Sequence, residues 1–231
     1  MIFHKHKIIF TGIPKNASHA PFAVLSNKTD SGHHHAVYMD EINHNDEELL
    51  SSYKSFAICR NPYDRAYSCW NYLRVIEDIE GRFGIFNFEQ FVQALESRSA
   101  FYEDQNEELT QHELTWPQSR FVCVKNFILV DGILRYENLD EDWKKFAEEH
   151  NKTAQFKIHT KLKVHNNMEY VERDWTKIYT PDMYRIINEF YKITNIPGLL
   201  NTSLNIKGQP LLNDGKDIEK WEQTYSSSVV K

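Results

Sequence analysis

Two short apolar strands that each lead through a polar loop into a helix constrain the fold of this chain more than any other feature. "KIIFTG" at residues 7–12 and "YKSFAIC" at 53–59 read as buried strands. The first is followed by a loop and the apolar run "PFAVLSN", the second by "RNPYDRAYSCWNYLRVIEDIEG", both at helical spacing. Apolar strands that alternate with helices are typical of a parallel sheet covered by helices on both faces. The sequence therefore predicts an α/β fold, a single domain with a central, mainly parallel β-sheet flanked by helices.

Three helices have recognisable starts. Asn61 is predicted to cap the helix after the second strand, with Pro62 in its first turn, where a missing N–H loses no hydrogen bond. In the same way, Asn87 opens the amphipathic stretch "NFEQFVQALESR", and Thr180, followed by Pro181, precedes "DMYRIINEFYKIT". Each signal fixes where a helix begins without saying what the helix packs against.

A further stretch, "FILVDGILRYENLDEDWKKFAEEH", admits two interpretations. The pair Asp131-Gly132 between apolar runs is typical of a hairpin turn, but the same residues fit one bent strand that leads into a helix around Trp143. We favour the strand-to-helix interpretation, with Glu137 capping that helix or anchoring Arg135.

The length of 231 residues fits one domain that buries a continuous core. From about residue 200 the chain becomes polar and contains the glycines Gly208 and Gly215. Residues 1–200 are therefore predicted to form the folded domain. Residues 201–231 are predicted to be a polar C-terminal extension that packs on the domain or trails from it.

The net charge of −6 disfavours a nucleic-acid partner, because binding to phosphates requires a surplus of Lys and Arg. One local exception is the stretch 152–165, which holds four lysines and two histidines and no acid. This stretch either faces an anionic ligand or is a solvated edge. No nucleic acid is expected among the partners.

The cysteines and the lack of targeting patterns predict the compartment. No stretch is long and apolar enough to span a bilayer, and the N-terminal residues do not show the order of a secretory signal. Cys59, Cys69 and Cys123 are an odd number, and two of them fall in apolar stretches where a thiol packs as a small core residue. We expect a reducing compartment and a cytoplasmic location, and the oligomeric state stays open.

The first polar loop is suited to hold an anion. Lys15 follows the strand, and Ser18 is predicted to cap the next helix, which places Pro21 at its third position. The backbone N–H groups of Asn16 to Ala20 and the Lys15 ammonium would then surround an anion. The loop lacks the glycine spacing and the GK[ST] ending of a nucleotide-triphosphate loop.

The second polar loop adds a second anion site. Arg60 leaves the strand end, and Ser68 lies eight residues on, two turns into the helix. An arginine offers a planar fork of N–H donors to a phosphate, and a serine hydroxyl adds a further hydrogen bond. Ligands of open α/β sheets bind beyond the carboxyl ends of the strands, which is where both loops lie. Together the two loops predict a pair of anion sites at one edge of the sheet more strongly than either loop does alone.

These motifs carry a resemblance to a known family. "IPKNAS" resembles the 5′-phosphosulfate loop, and "RNPYDRAYS" the 3′-phosphate motif, of sulfotransferases that use 3′-phosphoadenosine 5′-phosphosulfate (PAPS). "FAICRNPYDRAYS" and the later "LRYENLDEDW" are most similar to the carbohydrate, or family 2 type, branch, so the resemblance covers residues 7 to about 145. It implies a P-loop-kinase-like sulfotransferase fold. The implied enzyme moves a sulfonate from PAPS to a hydroxyl of a carbohydrate or similar small acceptor by in-line displacement. The product is 3′-phosphoadenosine 5′-phosphate (PAP).

The resemblance also implies residue roles. Lys15 would contact the bridging oxygen and the sulfonate, and Arg60 and Ser68 would hold the 3′-phosphate. Arg65 would brace the second loop by an ion pair rather than touch the nucleotide. The 5′-phosphate would be held by five loop positions: Asn16, Ala17, Ser18, His19 and Ala20.

His19 and Ala20 stand where the family usually has hydroxyl residues, and the lost hydrogen bonds predict a cofactor affinity about tenfold weaker. This departure keeps a second function open, a non-catalytic PAP- or nucleotide-binding protein with a sulfotransferase fold. A nucleotide kinase on a related sheet is a third hypothesis. The missing GK[ST] disfavours it, because no hydroxyl would hold magnesium beside the lysine. The predicted sulfonate transfer requires no metal.

A base for the acceptor hydroxyl is expected among His33, His34 and His35, which lie between the two phosphate motifs. Neighbouring side chains point in different directions, so only one of the three faces a given site. The resemblance favours His35, with His34 next. The alternatives are a solvated loop and a metal site that includes His44. His112 is a second-rank candidate for the acceptor site.

Overall fold

The structure is a computed structural model that describes part of the chain. The described residues are 1–27, Ala36, Tyr38, 50–76, 80–81, 84–97, 113–124, 127–151 and 177–191. The chain divides into two compact units, Met1–Arg60 with Arg120–Arg173, and Asn61–Ser119 with Asp174–Lys231. Each unit has its own described core, and the two are presented separately below.

The first unit is built on a four-stranded sheet. Its strands lie in the order β1 (Ile2–Phe3), β2 (Ile8–Thr11), β3 (Lys54–Cys59) and β6 (Gly132–Arg135). The pairs β2–β3 and β3–β6 are parallel, and only the edge strand β1 of this sheet is antiparallel to its neighbour. The predicted class, α/β with a central, mainly parallel sheet, is therefore confirmed.

The edge strand β1 was not predicted, because two residues are too few to show a periodicity. The chain turns back between β1 and β2 through a 3-10 turn at His4–His6. Lys7 closes this turn in the left-handed region, with φ 51°. The turn lays β1 along β2, where Ile2 pairs with Ile9.

Aromatic rings fill the core on one face of this sheet. Phe56 of β3 stacks on Phe10 of β2 at 4.8 Å between ring centroids. Phe56 also meets Trp143 at 5.3 Å and Phe146 at 5.5 Å, and both of these belong to helix α5 (Leu139–Glu149). Helix α1 (His19–Leu25) adds Ala20 and Leu25 to the same cluster. The predicted helix around Trp143 is thus confirmed, and the structure shows that it packs on this face.

The stretch before β6 forms a hairpin, but not where the Asp131-Gly132 pair indicated one. The short helix α4 (Ser119–Val122) leads into β4 (Cys123–Val124), which pairs antiparallel with β5 (Phe127–Ile128). After Asp131 the chain enters β6, the 3-10 turn Tyr136–Asn138 and helix α5. The favoured strand-to-helix interpretation is confirmed.

Asp131 has a different task from turning a hairpin. Its carboxylate accepts hydrogen bonds from the backbone N–H and the hydroxyl of Ser55, both at 2.8 Å, and pairs with Lys54 at 3.0 Å. Burial raises the pKa of this carboxyl, but the hydrogen bonds from Ser55 and the Lys54 ammonium outweigh it, so the pKa is lowered. The ionised carboxylate therefore ties the beginnings of β3 and β6 together.

Among the described residues of the second unit, three helices begin where the sequence predicted. Their bounds are Pro62–Ile76 for α2, Phe88–Ser97 for α3 and Pro181–Tyr191 for α6. In each case the capping side chain accepts a backbone N–H of the first turn: Asn61 from Tyr63 at 2.9 Å, Asn87 from Gln90 at 2.9 Å, and Thr180 from Met183 at 3.3 Å. All three predicted caps are confirmed.

Apolar side chains of α2, α3 and α6 pack into the core of the second unit. Tyr63 belongs to this core, and its ring meets those of Tyr179 and Tyr184 edge-on. Its hydroxyl donates to Asn188 at 2.8 Å, and its carbonyl accepts from the Tyr179 hydroxyl at 2.9 Å. Buried aromatic hydroxyls thus find partners within this unit.

Parts of the organisation predicted from sequence stay predictions. The division into a domain of residues 1–200 and an extension of residues 201–231 is one, since residues 192–231 lie outside the described part. Residues 152–176, which include the basic stretch 152–165, also lie outside it. Of the helices that the described residues form, none is both long and apolar enough to cross a membrane.

Candidate active site

The candidate site lies at the carboxyl edge of the sheet in the first unit. The loop from Gly12 to Ser18 follows β2 and leads into α1, Arg60 follows β3, and Tyr136 follows β6. Because the three strands are parallel, all three chain segments emerge at the same edge. Residues far apart in sequence are therefore brought together here.

The loop backbone takes an unusual form at two residues. Lys15 has φ 65° and Ala17 has φ 59°, both in the left-handed region of the backbone that residues other than glycine rarely adopt. Each such residue costs roughly 1 kcal/mol, so surrounding contacts must hold the loop in place. Ser18 is right-handed, with φ −55° and ψ −28°. A left-handed residue followed by a right-handed one turns successive N–H groups toward one side, which is the form of an anion nest.

Two N–H groups of the predicted nest are used inside the loop. Asn16 donates its N–H to the Ile13 carbonyl at 3.2 Å, and Ala20 donates to the Ala17 carbonyl at 2.9 Å. These two N–H groups are therefore already hydrogen-bonded inside the loop. The contact of Asn16 and Ala20 with a 5′-phosphate, which the resemblance implies, stays a prediction.

The Asn16 side chain anchors the loop to the sheet. Asn16 is fully buried, and its Nδ2 donates to the Ile58 carbonyl of β3 at 2.7 Å. A buried hydrogen bond of this kind is expensive to break, because both groups would lose a partner without gaining water. Asn16 therefore sets the distance between the loop and the end of β3.

The prediction that Ser18 caps α1 is wrong in its hydrogen bond. Ser18 occupies the N-cap position and Pro21 the third helical position, as expected, but Ser18 makes no side-chain cap hydrogen bond. Pro21 has no N–H to offer, and the N–H of Ala20 is taken by the Ala17 carbonyl. A capping serine normally serves one of these two amides, so neither is left for Ser18 to bind.

Arg60 joins the two phosphate motifs. It is only 6% exposed, and its Nη1 donates to the Lys15 carbonyl at 2.9 Å. The guanidinium carbon lies 4.3 Å from the centre of the Tyr136 ring, a cation–π contact. One of the five N–H donors of the guanidinium is thus spent on the lysine loop. The part of Arg60 in holding a 3′-phosphate stays a prediction beside this observed contact.

Sequence reasoning missed Tyr136. It belongs to the string "LRYENLDEDW", which the resemblance included without assigning the tyrosine a role. The signal that could have found it is positional, because Tyr136 comes directly after a strand parallel to β3 and therefore emerges at the same edge. Aromatic side chains at such a position are candidates for stacking on the site arginine.

Asp142, rather than Glu137, is the fork partner of Arg135. The Nε of Arg135 donates to Asp142 at 2.8 Å, its Nη2 donates to the other carboxylate oxygen, and its backbone N–H adds a third bond at 2.8 Å. Burial raises the pKa of Asp142, but these hydrogen bonds and the Arg135 charge outweigh it, so the pKa is lowered. This pair fixes the end of β6, directly before Tyr136, onto helix α5.

Asp142→Asn is expected to lower the free energy of unfolding by about 2 kcal/mol at pH 7, since bonds to a charged partner are lost. Because the pKa of Asp142 is lowered in the folded protein, its contribution to stability is complete above about pH 4, the pKa of the unfolded state. That contribution is lost as the pH falls through the pKa of the folded state. Urea denaturation at pH 7 and pH 3 should show the gap to wild type narrowing at the lower pH. Asp140→Asn, on an exposed side chain of the same turn, is the control and should change little. An equal gap at both pH values would contradict this role of the carboxylate.

Two further predicted residues belong to the second unit. Ser68 lies in the second turn of α2 and is partly exposed, and its contact with a 3′-phosphate stays a prediction. Arg65 is fully buried, and its Nη1 donates to the Trp116 carbonyl at 2.9 Å. Arg65 therefore acts as a brace, through a backbone carbonyl.

The histidine predictions fall outside the described residues. His33, His34, His35, His44 and His112 all lie in stretches that the structure does not describe. Their roles as base, metal ligand or acceptor-site residue stay predictions. Within the described ranges, no group of three or more His, Cys, Asp or Glu side chains is placed to hold a metal ion.

The site thus joins a lysine loop after one parallel strand to an arginine after the next, in an α/β fold. Comparison with known families gives the finer assignment. The model of the Sulfotransferase family matches residues 1–193, so the chain belongs to the sulfotransferase family, whose members transfer a sulfonate group from PAPS. No curated protein and no solved structure matches the chain. The resemblance carried by "IPKNAS" and "RNPYDRAYS" is thereby confirmed at the level of the family.

Proposed function

We propose that this chain transfers the sulfonate of PAPS to a hydroxyl of a carbohydrate or similar small acceptor by in-line displacement. The observation that carries the proposal is the hydrogen bond of 2.9 Å between Arg60 and the Lys15 carbonyl. It brings the residue expected at the 3′-phosphate and the residue expected at the sulfonate into direct contact. A donor with phosphates at both ends of its ribose fits such a pair.

Lys15 supplies the charge that the reaction needs. In the transfer, the acceptor oxygen forms a bond to sulfur, the bond from sulfur to the bridging oxygen breaks, and the electron pair stays on the 5′-phosphate. The Lys15 ammonium is proposed to stabilise that developing charge, and charge stabilisation of this kind often contributes more to catalysis than any other effect. The loop contacts of Asn16 and Arg60 hold the lysine in place before the reaction begins.

The proton of the acceptor hydroxyl requires a base. We assign it to His35, with His34 as the next choice, since a histidine takes up a proton near neutral pH. The base accepts the proton as the new bond to sulfur forms and releases it to solvent after the product leaves. Ser68 is proposed to add a hydroxyl donor to the 3′-phosphate.

A second candidate function is a PAP- or nucleotide-binding protein that does not transfer sulfonate. The observation that favours it is the use of the Ala20 N–H inside the loop, at a position where the family usually has a hydroxyl side chain. Neither the Ala20 N–H nor a side-chain hydroxyl is then directed at the 5′-phosphate, so the loop offers fewer hydrogen-bond donors than the family pattern does. Weaker binding of PAPS is the expected consequence. A measurement of turnover decides between the two functions.

Isothermal titration with PAP tests the proposal. Wild type should bind PAP, and Arg60→Gln should weaken binding about 10- to 100-fold, as expected for lost bonds to a charged group. Lys5→Ala, which removes an exposed lysine that belongs to neither motif, is the control and should bind as wild type does. Absence of PAP binding, or equal affinity in Arg60→Gln, would overturn the proposal.

Turnover separates the candidate functions. PAPS is incubated with a panel of saccharides and other hydroxyl compounds, and PAP release is followed with and without excess EDTA. Transfer that persists in EDTA and falls in His35→Ala supports the sulfotransferase. PAP binding without transfer to any acceptor supports the non-catalytic protein. Transfer of a phosphoryl group that stops in EDTA would indicate a kinase.

We also propose a cytoplasmic location. Cys59 and Cys69 are buried as free thiols, which confirms their predicted place in the core. Cys69 donates to the Leu114 carbonyl at 3.0 Å, so it packs as a polar core residue of the second unit. Buried free thiols are usual in a reducing compartment. Fractionation of cells that express the protein would test the assignment.

A further inference from the structure

We propose that Arg60 and Tyr136 are positioning residues for the lysine loop, so that the arginine of the 3′-phosphate subsite also shapes the 5′-phosphate subsite. This inference rests on the proposed function, because it concerns how the two phosphates of PAP are sensed. It adds a role for Tyr136, to which no motif assigned one. It also makes Arg60 a link between the two subsites instead of a ligand of one phosphate only.

The peptide group between Lys15 and Asn16 is held at both ends. Its carbonyl accepts from Arg60 at 2.9 Å, and its N–H donates to the Ile13 carbonyl at 3.2 Å. The peptide group is planar, so its two ends turn together and a bond at each end restrains its rotation. Lys15 is left-handed at φ 65°, a form that the chain would leave readily without such contacts.

Arg60 in turn needs a contact that holds its side chain. An arginine side chain has several rotatable bonds, so more than one contact is needed to hold it in one conformation. The Tyr136 ring lies under the guanidinium at 4.3 Å, and Arg60 is 6% exposed, so the contact is largely shielded from water. Cation–π contacts are stronger when water is excluded. The ring therefore fixes the plane of the guanidinium that reaches the Lys15 carbonyl.

Tyr136 is held by the end of its strand. It directly follows Arg135, whose guanidinium and backbone N–H are bound by Asp142 of helix α5. The position of Tyr136, directly after the end of β6, is thus restrained by the bonds of its neighbour Arg135. A chain of contacts runs from α5 through Tyr136 and Arg60 to the backbone of Lys15, entirely within the first unit.

These contacts predict a result that would not be seen if Arg60 only bound the 3′-phosphate. A nucleotide without a 3′-phosphate has nothing for Arg60 to bind directly. If Arg60 also shapes the lysine loop, the affinity for such a nucleotide still depends on Arg60 and on the ring of Tyr136. Adenosine 5′-phosphate is the suitable probe, and PAP is the reference.

The experiment titrates both nucleotides into wild type, Arg60→Gln, Tyr136→Leu, Tyr136→Phe and the double variant Arg60→Gln/Tyr136→Leu. Arg60→Gln and Tyr136→Leu should each weaken adenosine 5′-phosphate binding about tenfold, the scale of one hydrogen bond or cation–π contact. The double variant should be no weaker than Arg60→Gln alone, because the tyrosine acts through the arginine. Tyr136→Phe keeps the ring and should retain most of the affinity.

Two results would overturn the inference while leaving the proposed function standing. One is that Arg60→Gln weakens PAP but leaves adenosine 5′-phosphate unchanged, which would make Arg60 a 3′-phosphate ligand only. The other is that the effects of Tyr136→Leu and Arg60→Gln multiply, which would make the tyrosine a separate packing residue. A wild-type protein that binds neither nucleotide would instead overturn the proposed function, and the inference with it. Thermal melting of each variant identifies any that lose affinity by unfolding.

Discussion

Replacing Lys15 with alanine is expected to lower kcat for sulfonate transfer about 100- to 1000-fold, the usual effect of removing a group that stabilises charge in the transition state. The ammonium is proposed to meet the oxygen on which negative charge develops, so kcat should fall more than the KM for PAPS rises. The backbone should be undisturbed, since alanine and lysine have comparable difficulty in the left-handed region at φ 65°. The measurement is PAP release from PAPS with the acceptor that the panel identifies.

Two comparisons make the Lys15 result specific. Lys5→Ala removes an equal charge from an exposed site and should leave kcat unchanged. Lys15→Arg keeps a charge but places it at a different reach, and it should recover only part of the activity. If Lys15→Ala retained a kcat close to that of wild type, with the same melting temperature, the lysine would have no part in the chemical step.

Gly132→Ala is expected to lower the free energy of unfolding by about 2 kcal/mol, because it forces a methyl group into a filled space. A Cβ at this position would lie 2.5 Å from Cδ2 and 2.8 Å from Cε2 of Phe146. The ring has little room to yield, since it is buried between Phe56 and Trp143. Gly132 opens β6, so the strain falls on the strand that carries Tyr136 to the site. Urea denaturation followed by fluorescence measures the change.

Controls for Gly132 separate steric overlap from backbone effects. Phe146→Leu should recover part of the loss when combined with Gly132→Ala, because leucine lacks the ring edge, including Cε2, that the methyl group meets. Gly84→Ala meets no atom within 4 Å but places alanine at φ 64°, so its cost of about 1 kcal/mol comes from the backbone alone. A Gly132→Ala protein as stable as wild type would show that helix α5 shifts freely from the sheet.

The sequence predicted the regular elements well, because their signals are local. Apolar strands of four to six residues and helices with polar caps can be recognised without knowing their neighbours, as Asn61, Asn87 and Thr180 show. The two-residue strand β1 gave no such signal and was missed. The Asp131-Gly132 pair resembled a hairpin turn, although the carboxylate there binds Ser55 of another strand. That contact connects residues 76 positions apart and leaves no local pattern.

The candidate site, like the fold, was predicted from the sequence only in part. Lys15 and Arg60 were predicted at one edge of the sheet, because the carboxyl ends of parallel strands share an edge. The hydrogen bonds that shape the loop were not predicted. The phosphate contact expected of Asn16 stays a prediction, and the bond from its side-chain amide to the Ile58 carbonyl was not foreseen. Ser18 was expected to cap α1 by accepting a hydrogen bond from a backbone N–H of the first turn. With Ala17 in the left-handed region, the Ala17 carbonyl accepts the N–H of Ala20 in place of the Ser18 hydroxyl.

By itself the sequence determined the fold class, the starts of three helices and the family, because periodicity, caps and motif spacing are properties of neighbouring residues. The tertiary structure decided which side chains support the lysine loop. It placed the Tyr136 ring under Arg60, 76 positions away in the sequence. It also placed Asp142 of α5 against Arg135 at the end of β6, 7 positions away. Such contacts depend on which strand lies beside which, and a hydrogen bond or a ring stack forms only after the sheet has brought both partners to the same edge.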